Sequence, residues 1–190
     1  MGDALDDGEL LIADRFDGAT ILFADIVEFT PLVARMDAGD LIKELSNLFT
    51  AFDDLATRHG IEKIKTIGDA YMAASGIPSQ RADHARAALD FARDILSTMS
   101  DSTVSEAGLQ IRIGIHSGPV IAGVIGRKRS VYDVWGETVN LASRLESTGQ
   151  PGKIHISSET KNALGEHVIS AEKYVHVVKG VGEITSYFVE

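Results

Sequence analysis

Hydrophobic residues along the chain follow two different spacings, which predict both strands and helices. Residues 20–24 form an uninterrupted apolar run that is typical of a buried strand. Residues 31–59 then repeat apolar side chains every three or four positions, which predicts a helix that ends at Gly60. Residues 61–75 predict a hairpin that turns at Gly68-Asp69, because a turn-forming pair there separates two β-prone arms.

The second half of the chain continues this mixture of elements. A helix is predicted over residues 83–99, and residues 109–116 alternate apolar and polar side chains like a strand with one buried face. Residues 120–125 are expected to pair with that strand across a turn at Gly118-Pro119. The remaining predicted elements are strands at 131–135, 154–157, 168–178 and 184–189, and helices near 138–146 and 159–165. This order indicates an α/β or α+β sheet covered by helices.

Length and composition predict one domain over residues 18–190, preceded by a lead-in segment over residues 1–17. The 190 residues are enough for one sizeable core, and no apolar run is long enough to span a bilayer. The acidic N-terminus argues against a secretory signal, so a cytoplasmic setting is expected. The net charge of −10 argues against nucleic-acid binding, and the absence of cysteine excludes disulfides and thiolate metal sites.

Two aspartates are the first candidates for chemistry. Asp25 follows the apolar run at 20–24, and Asp69 lies at the predicted hairpin turn. A carboxylate beside a buried strand is costly unless it is paired or binds a cation, so the two residues suggest one shared site for divalent ions. For either residue alone, a turn or helix-cap role is the simpler explanation.

Five blocks in order resemble the catalytic domain of class III adenylyl cyclases. They are ILFADIVEFT at 21–30, KIKTIGDAYM at 63–72, RIGIHSGPV at 112–120, YDVWGETVNLASRLE at 132–146 and VVKGVGE at 177–183. The resemblance implies an α+β fold, with a ferredoxin-like βαββαβ core and additional strands. It also implies a bacterial type of homodimer that converts ATP to 3′,5′-cyclic AMP and pyrophosphate at sites shared by two subunits.

The resemblance implies a role for each residue at the phosphate end of the site. Asp25 and Asp69 would hold two Mg²⁺ or Mn²⁺ ions, with the main-chain carbonyl of Ile26 as a further ligand. Backbone N–H groups of the segment that includes Phe29 and Thr30 would surround the phosphates, as at other helix N-termini. Glu28 departs from the glycine that is usual in the family, and we hypothesise that it weakens nucleotide binding.

Lys65 and Asp133 match the pair that reads the base in the family. Lysine only donates hydrogen bonds and an ionised aspartate only accepts them. Adenine offers an acceptor at N1 and donors at its 6-amino group, whereas guanine presents the opposite pattern, so the pair predicts ATP over GTP. Outside the family context, an exposed strand lysine and a turn aspartate would be the simpler explanation.

Four other residues match family positions that contact the ribose and phosphates. Asn140 resembles the residue that orients the ribose, and Arg144 resembles the one that neutralises the transition state. Their i, i+4 spacing places them on one helix face, although a solvated polar face has the same spacing. Arg112 and Lys179 match contacts to the β- and γ-phosphates. The loop at residues 127–129 is expected to be solvated, and Trp135 is expected to be a packing residue.

The family arrangement divides these residues between two subunits. Asp25, Asp69 and Arg112 of one subunit would face the remaining side chains of the other subunit, namely Lys65, Asp133, Asn140, Arg144 and Lys179. Lys65 and Asp69 are four residues apart, about 13 Å of extended chain. This distance is consistent with each residue contacting a different nucleotide. Two alternatives remain: a non-catalytic module for nucleotide binding or dimerisation, and a guanylyl cyclase. A longer parent chain with a sensor or membrane region is also expected.

Overall fold

Four antiparallel strands form the part of the sheet that carries the candidate site. The computed structural model describes residues 13–99, 109–126, 130–167, 171–178 and 182–189. The four strands lie in the order β2-β3-β1-β4. Their bounds are β1 Ala13–Ile26, β2 Glu62–Ile67, β3 Ala70–Ser75 and β4 Ile111–Ile125. Helices join β1 to β2 and β3 to β4, which confirms the predicted βαββαβ core.

Four further strands and five helices complete the described part of the chain. The strands are β5 Val131–Trp135, β6 Ile154–Ser157, β7 Ala171–Val178 and β8 Gly182–Val189. The helices are α1 Phe29–Val33, α2 Ala38–His59, α3 His84–Thr98, α4 Glu137–Ser147 and α5 Ser158–Leu164, and a short 3₁₀ turn covers Gly165–His167. Beyond β4 the sheet continues in the order β6, β8, β7. The strand β5 also pairs with β4 but is not part of this order. No helix among the described residues is long and apolar enough to cross a membrane.

Apolar side chains cover both faces of the sheet, which is why the central strands lack a simple alternating pattern. On β1, Leu22 and Ala24 pack in one buried cluster with residues of α2 and α3. Ile21 and Phe23 point to the opposite face and pack in a second cluster that includes Ala142 of α4. The helix α4 therefore lies on the opposite face of the sheet from α2 and α3.

The structure lengthens β1 relative to the sequence prediction. The strand begins at Ala13, so residues 13–17 of the expected lead-in segment already belong to the sheet. They pair with β4, with Phe16 opposite Val120, before the register shifts between Phe16 and Ala19. Residues 1–12 lie outside the described residues.

The prediction of a turn at Gly118-Pro119 is wrong, because both residues lie within a strand. Residues 111–125 form one continuous strand, β4, because the register shift in β1 places extra residues opposite Pro119. A bulge of this kind accommodates a proline, which has no N–H group to donate to the sheet. The carbonyl of Pro119 accepts a hydrogen bond from Oγ1 of Thr138 at 2.6 Å.

One other prediction also needs correction. The helix expected over residues 31–59 is two helices, because Asp37 caps the start of α2 by accepting a hydrogen bond from the Gly39 N–H. The helix α2 ends at Gly60 as predicted, and the backbone of Gly60 adopts the left-handed conformation. Trp135, which was expected to pack, is 36% exposed and lies outside the buried clusters. The predicted loop at residues 127–129 lies outside the described residues.

Candidate active site

The sheet register brings the two candidate metal ligands together. Asp25, near the end of β1, lies opposite Ala70 of β3, and Asp69 immediately precedes Ala70 in the turn from β2. Partial burial raises the pKa of the Asp69 carboxyl, and the nearby charge of Asp25 raises it further. The two carboxylates thus lie together in a partly desolvated place at the C-terminal end of β1.

The donor atoms at this place suit a hard divalent cation. Within the described ranges, no group of three or more Asp, Glu or His side chains is arranged to hold a metal ion. The candidate set is instead the two carboxylates with the main-chain carbonyl of Ile26, all of them oxygen donors of the kind that Mg²⁺ and Mn²⁺ prefer. A cation between Asp25 and Asp69 would offset the repulsion that raises the pKa of Asp69. These oxygen donors therefore fit a divalent metal ion.

Arg112 joins this carboxylate pair to helix α4. Its Nη2 donates to Oδ2 of Asp25 at 2.9 Å, and its Nε donates to Oε1 of Glu146 at 2.5 Å. The Glu146 side chain is only 8% exposed. Burial raises the pKa of Glu146 to about 7, with a further contribution from the charge of Asp25 and an opposing one from Arg112. One guanidinium is therefore shared by two carboxylates that are costly to bury.

A glycine allows α4 to lie close enough to β4 for this contact. A Cβ atom at Gly114 would stand 2.1 Å from the backbone N of Glu146 and 2.5 Å from the backbone O of Ala142. Only a residue without a side chain fits such a distance. Because Arg112 lies two positions earlier on the same face of β4, the close approach places Glu146 beside its guanidinium.

The predicted base-reading residues form a second pair, on other strands. Nζ of Lys65 on β2 donates to Oδ2 of Asp133 on β5 at 2.5 Å, and both side chains are partly exposed. The other oxygen of Asp133 accepts a hydrogen bond from the Val134 N–H at 2.8 Å, which fixes the carboxylate. An ammonium donor and a carboxylate acceptor thus lie side by side at an accessible position.

Helix α4 carries both residues that the sequence placed on one face. Asn140 is exposed, whereas Arg144, one turn later, is partly buried. Nη1 of Arg144 is buried and has no hydrogen-bond partner in the described part of the chain. A buried guanidinium N–H without an acceptor is costly, so this atom is a ready donor for an anionic ligand.

Glu28 has an unusual backbone conformation at the start of α1. Its φ is 57°, and it is the one non-glycine residue with positive φ among the described residues. Glycine adopts this conformation without a steric penalty, whereas a residue with a Cβ atom pays about 1 kcal/mol. Helix α1 begins directly afterwards at Phe29, followed by the exposed Thr30, so a carboxylate stands where the predicted phosphate segment begins.

The predicted site residues thus fall into separate groups in one chain. Asp25, Asp69 and Arg112 lie together, Lys65 and Asp133 form their own pair, and no hydrogen bond or ion pair joins the two groups among the described residues. Lys179 lies outside the described residues. The sequence interpretation missed Glu146, although its position four residues after Ala142, on the apolar face of α4, is unusual for a carboxylate.

Comparison with known proteins identifies the family of the chain. The family described as "Adenylate and Guanylate cyclase catalytic domain" matches residues 11–190. An adenylate cyclase of Mycobacterium tuberculosis is 41% identical over 179 residues, which cover 94% of this chain and 40% of that protein. The chain therefore spans less than half the length of this curated relative.

Solved structures from the same family superpose closely on the chain. The catalytic core of a rhodopsin-guanylyl cyclase with converted specificity, in complex with ATPαS, is 38% identical, with a TM-score of 0.87 and coverage of 93% of this chain and 97% of that one. A guanylyl cyclase domain from the aquatic fungus Blastocladiella emersonii, described as a non-canonical dimer, is 36% identical, with a TM-score of 0.81 and coverage of 93% of this chain and 97% of that one. On this evidence the chain belongs to the adenylate and guanylate cyclase catalytic domains, the class III nucleotidyl cyclases.

Proposed function

We propose that the chain is an adenylyl cyclase that converts ATP to 3′,5′-cyclic AMP and pyrophosphate. The observation that carries the choice of ATP is the pairing of Lys65 with Asp133 at 2.5 Å. The two side chains present one donor and one acceptor next to each other, which matches the N1 acceptor and the 6-amino donor of adenine. Guanine would place its O6 acceptor against the carboxylate and its N1–H donor against the ammonium group, so GTP is disfavoured.

The other end of the substrate would lie against Asp25 and Asp69. These carboxylates and the Ile26 carbonyl would hold two Mg²⁺ or Mn²⁺ ions, which supply Lewis-acid activation of the ribose 3′-OH and neutralise charge on the triphosphate. Arg112 and Lys179 would contact the β- and γ-phosphates, and the backbone N–H groups of Phe29 and Thr30 would donate to phosphate oxygens.

Helix α4 would contribute the residues closest to the bond that forms. The exposed amide of Asn140 can hydrogen-bond the ribose and orient the 3′ oxygen toward the α-phosphorus. Arg144 has a buried N–H without an acceptor, and an oxygen of the α-phosphoryl group would supply one. Since negative charge on those oxygens is stabilised by a fixed guanidinium, Arg144 would lower the barrier to attack.

Each active site would be shared by two copies of the chain. The separation of the Asp25 group from the Lys65–Asp133 pair within one chain supports this arrangement. The hairpin of β4 and β5 also exposes apolar side chains that a second copy would cover. They are Ile121 opposite Trp135 and Ile125 opposite Val131, each between 36% and 59% exposed. A two-fold dimer would then contain two equivalent sites.

The test is cyclic nucleotide production by the purified chain with Mn²⁺ or Mg²⁺, over a series of protein concentrations. Cyclic AMP from ATP is expected, with a specific activity that rises with protein concentration because the monomer lacks a complete site. Asp25→Ala is the negative control, since it removes a metal ligand at a partly exposed position. Folded dimeric protein that makes no cyclic nucleotide under any of these conditions would refute the proposal and favour a non-catalytic module.

A guanylyl cyclase is the second candidate, because two solved relatives are named as guanylyl cyclases or derivatives of one. The same assay with GTP in place of ATP decides between the two substrates. Activity with GTP equal to or above that with ATP would show that the Lys65–Asp133 pair does not select the base.

The domain is proposed to work as part of a longer protein. The M. tuberculosis relative is more than twice as long as the segment that matches, and a sensor or membrane region in the parent chain would control how two catalytic domains meet. We place the catalytic domain itself in the cytoplasm, which holds the ATP and Mg²⁺ that the reaction uses.

A further inference from the structure

The guanidinium of Arg112 is divided between two carboxylates of the same chain. Nε donates to Glu146 and Nη2 donates to Asp25, at 2.5 and 2.9 Å. Arg112 lies directly opposite Asp25 in the β1–β4 register, so the strand pairing alone places these two side chains next to each other. Glu146 comes from a different element, α4, and binds a different nitrogen.

This division matters because arginine and a lone carboxylate tend to form a two-bond fork. In such a fork two parallel N–H groups bind both carboxylate oxygens. If Arg112 bound Asp25 in this way, each oxygen of Asp25 would give one lone pair to an N–H group, and the guanidinium would lie squarely against the carboxylate. A divalent cation needs those oxygens, so Arg112 and the cation would compete for one side chain.

Glu146 occupies Nε–H, one of the two N–H groups that a fork through Nε and Nη2 would use to bind Asp25. The Glu146 side chain is 8% exposed, and Gly114 lets the backbone of α4 lie against β4 at this residue. Glu146 is also in the last turn of α4, where a carboxylate interacts unfavourably with the helix dipole. A buried carboxylate in an unfavourable position is retained here by its contact with Arg112.

We propose that Glu146 is a positioning residue that holds Arg112 by Nε and thereby keeps Asp25 available to a divalent cation. This inference rests on the proposed function, because it takes Asp25 and Asp69 as the metal ligands. It assigns a role in metal binding to a side chain that does not touch the metal.

A simpler explanation is that the negative charge of Glu146 attracts the cation through space. The two explanations differ in their dependence on Arg112. If Glu146 acts through Arg112, its removal weakens metal binding only while the arginine is present. If Glu146 acts by charge, its removal has the same effect with or without the arginine.

The experiment is a direct titration of the whole chain with Mn²⁺ alone, followed by the electron paramagnetic resonance signal of unbound Mn²⁺. The proteins are wild type, Glu146→Met, Arg112→Gln and the double variant, because methionine has nearly the length of glutamate but offers Nε no oxygen to accept its hydrogen. We expect Glu146→Met to bind Mn²⁺ about tenfold more weakly than wild type, and the double variant to match Arg112→Gln within about twofold. Glu146→Asp, which keeps the charge on a shorter side chain, is expected to resemble Glu146→Met.

Each other outcome overturns the inference. Equal weakening by Glu146→Met in both backgrounds, or wild-type binding by Glu146→Asp, would assign the effect to charge. Unchanged binding by Glu146→Met would show that Glu146 has no influence on the metal site. Glu137→Gln, which neutralises an exposed carboxylate on the same helix, is the matched control and should bind like wild type. If Asp25→Ala binds Mn²⁺ as well as wild type does, the proposed metal site itself fails, and this inference fails with it.

Discussion

Lys65 and Asp133 are 68 residues apart in sequence, yet their side chains meet across a 2.5 Å hydrogen bond. The contact joins β2 to β5, two strands that the sheet order does not place next to each other. Both side chains remain partly exposed, at 36% and 18%. The pair therefore satisfies its own charges in one chain while staying accessible to a base.

Exchange of this pair should change the preferred nucleotide. Guanylyl cyclases of the family carry glutamate and cysteine at the two positions, so Lys65→Glu with Asp133→Cys places an acceptor where guanine offers N1–H. We expect the ratio of kcat/KM for ATP over GTP to fall at least 100-fold, since two contacts of about 1.4 kcal/mol each are reversed. Initial rates with both nucleotides measure the ratio.

Lys63→Gln provides the control for this exchange. Lys63 lies on the same strand and pairs with Asp53 at 2.7 Å, so its loss also breaks an ion pair on β2. The control should keep the nucleotide preference of wild type. A similar loss of preference in Lys63→Gln would mean that damage to β2, and not base reading, explains the result.

Mixing two inactive variants should restore activity. Under the proposed function, Asp25→Ala would disable the metal half of each site and Asn140→Ala the ribose half, so a heterodimer of the two would hold one intact site. We expect each pure variant to be nearly inactive and an equimolar mixture to recover up to about one quarter of wild-type activity. Mass spectrometry of tagged chains confirms that heterodimers form. Heterodimers without activity would count against shared sites.

Glu28 should weaken both the fold and nucleotide binding. Glu28→Gly relieves the left-handed conformation at φ 57° and is expected to raise the free energy of unfolding by up to about 1 kcal/mol. It should also lower the KM for metal-ATP several-fold. Glu28→Ala separates the causes, because it removes the charge and keeps the Cβ atom. An unchanged KM in Glu28→Gly would show that this glutamate does not hinder nucleotide binding.

The sequence predicted the elements whose cause is local. The hairpin at Gly68-Asp69 and the end of α2 at Gly60 depend on residues whose own conformational preferences favour these turns. Gly118-Pro119 carries an equally strong turn signal, but a bulge on the neighbouring strand keeps β4 continuous. The bulged residues of β1 lie about 100 residues before Pro119 in the sequence. They therefore leave no pattern in the sequence around Pro119.

The same distinction holds for the candidate site. The apolar run and the hairpin turn indicated Asp25 and Asp69, and the family resemblance supplied Arg112, but neither assigned a role to Glu146. The role depends on the distance between α4 and β4, which Gly114 sets from the other side of the contact. A pattern along one element cannot report how closely a second element approaches it.

Buried histidine should make the fold less stable in acid. His116 is 7% exposed, and its Nδ1 shares a 2.7 Å hydrogen bond with the Ser157 hydroxyl. Burial lowers the pKa of His116 below the ordinary 6.5, against the opposing charges of Glu159 and Glu137. The unfolded chain then takes up a proton first as the pH falls, so this stability is present above pH 6.5 and is lost below it.

Urea denaturation between pH 8 and pH 5 measures this effect. Below pH 6.5, each unit by which the pH falls is expected to lower the free energy of unfolding by at most about 1.4 kcal/mol through His116. His116→Gln, which keeps a polar side chain without a titrating group in this range, should give a shallower slope. The same slope in the variant and wild type would show that His116 does not titrate between the two states in this range.

The separation of α4 and β4 should be the least tolerant feature of the site. Gly114→Ala would place a Cβ atom 2.1 Å from the backbone N of Glu146, and a backbone atom cannot move aside as a flexible side chain can. The helix must shift, so we expect a loss of about 3 kcal/mol or more in the free energy of unfolding, measured by urea denaturation. Gly152→Ala is the control, because Gly152 has φ 71° but no atom within 4 Å of an added Cβ, and it should cost only about 1 kcal/mol. A loss in Gly114→Ala no larger than that in Gly152→Ala would show that the distance between α4 and β4 does not require the glycine at 114. A larger loss in Gly114→Ala would show that the contact that positions Glu146 beside Arg112 is set by the packing of α4.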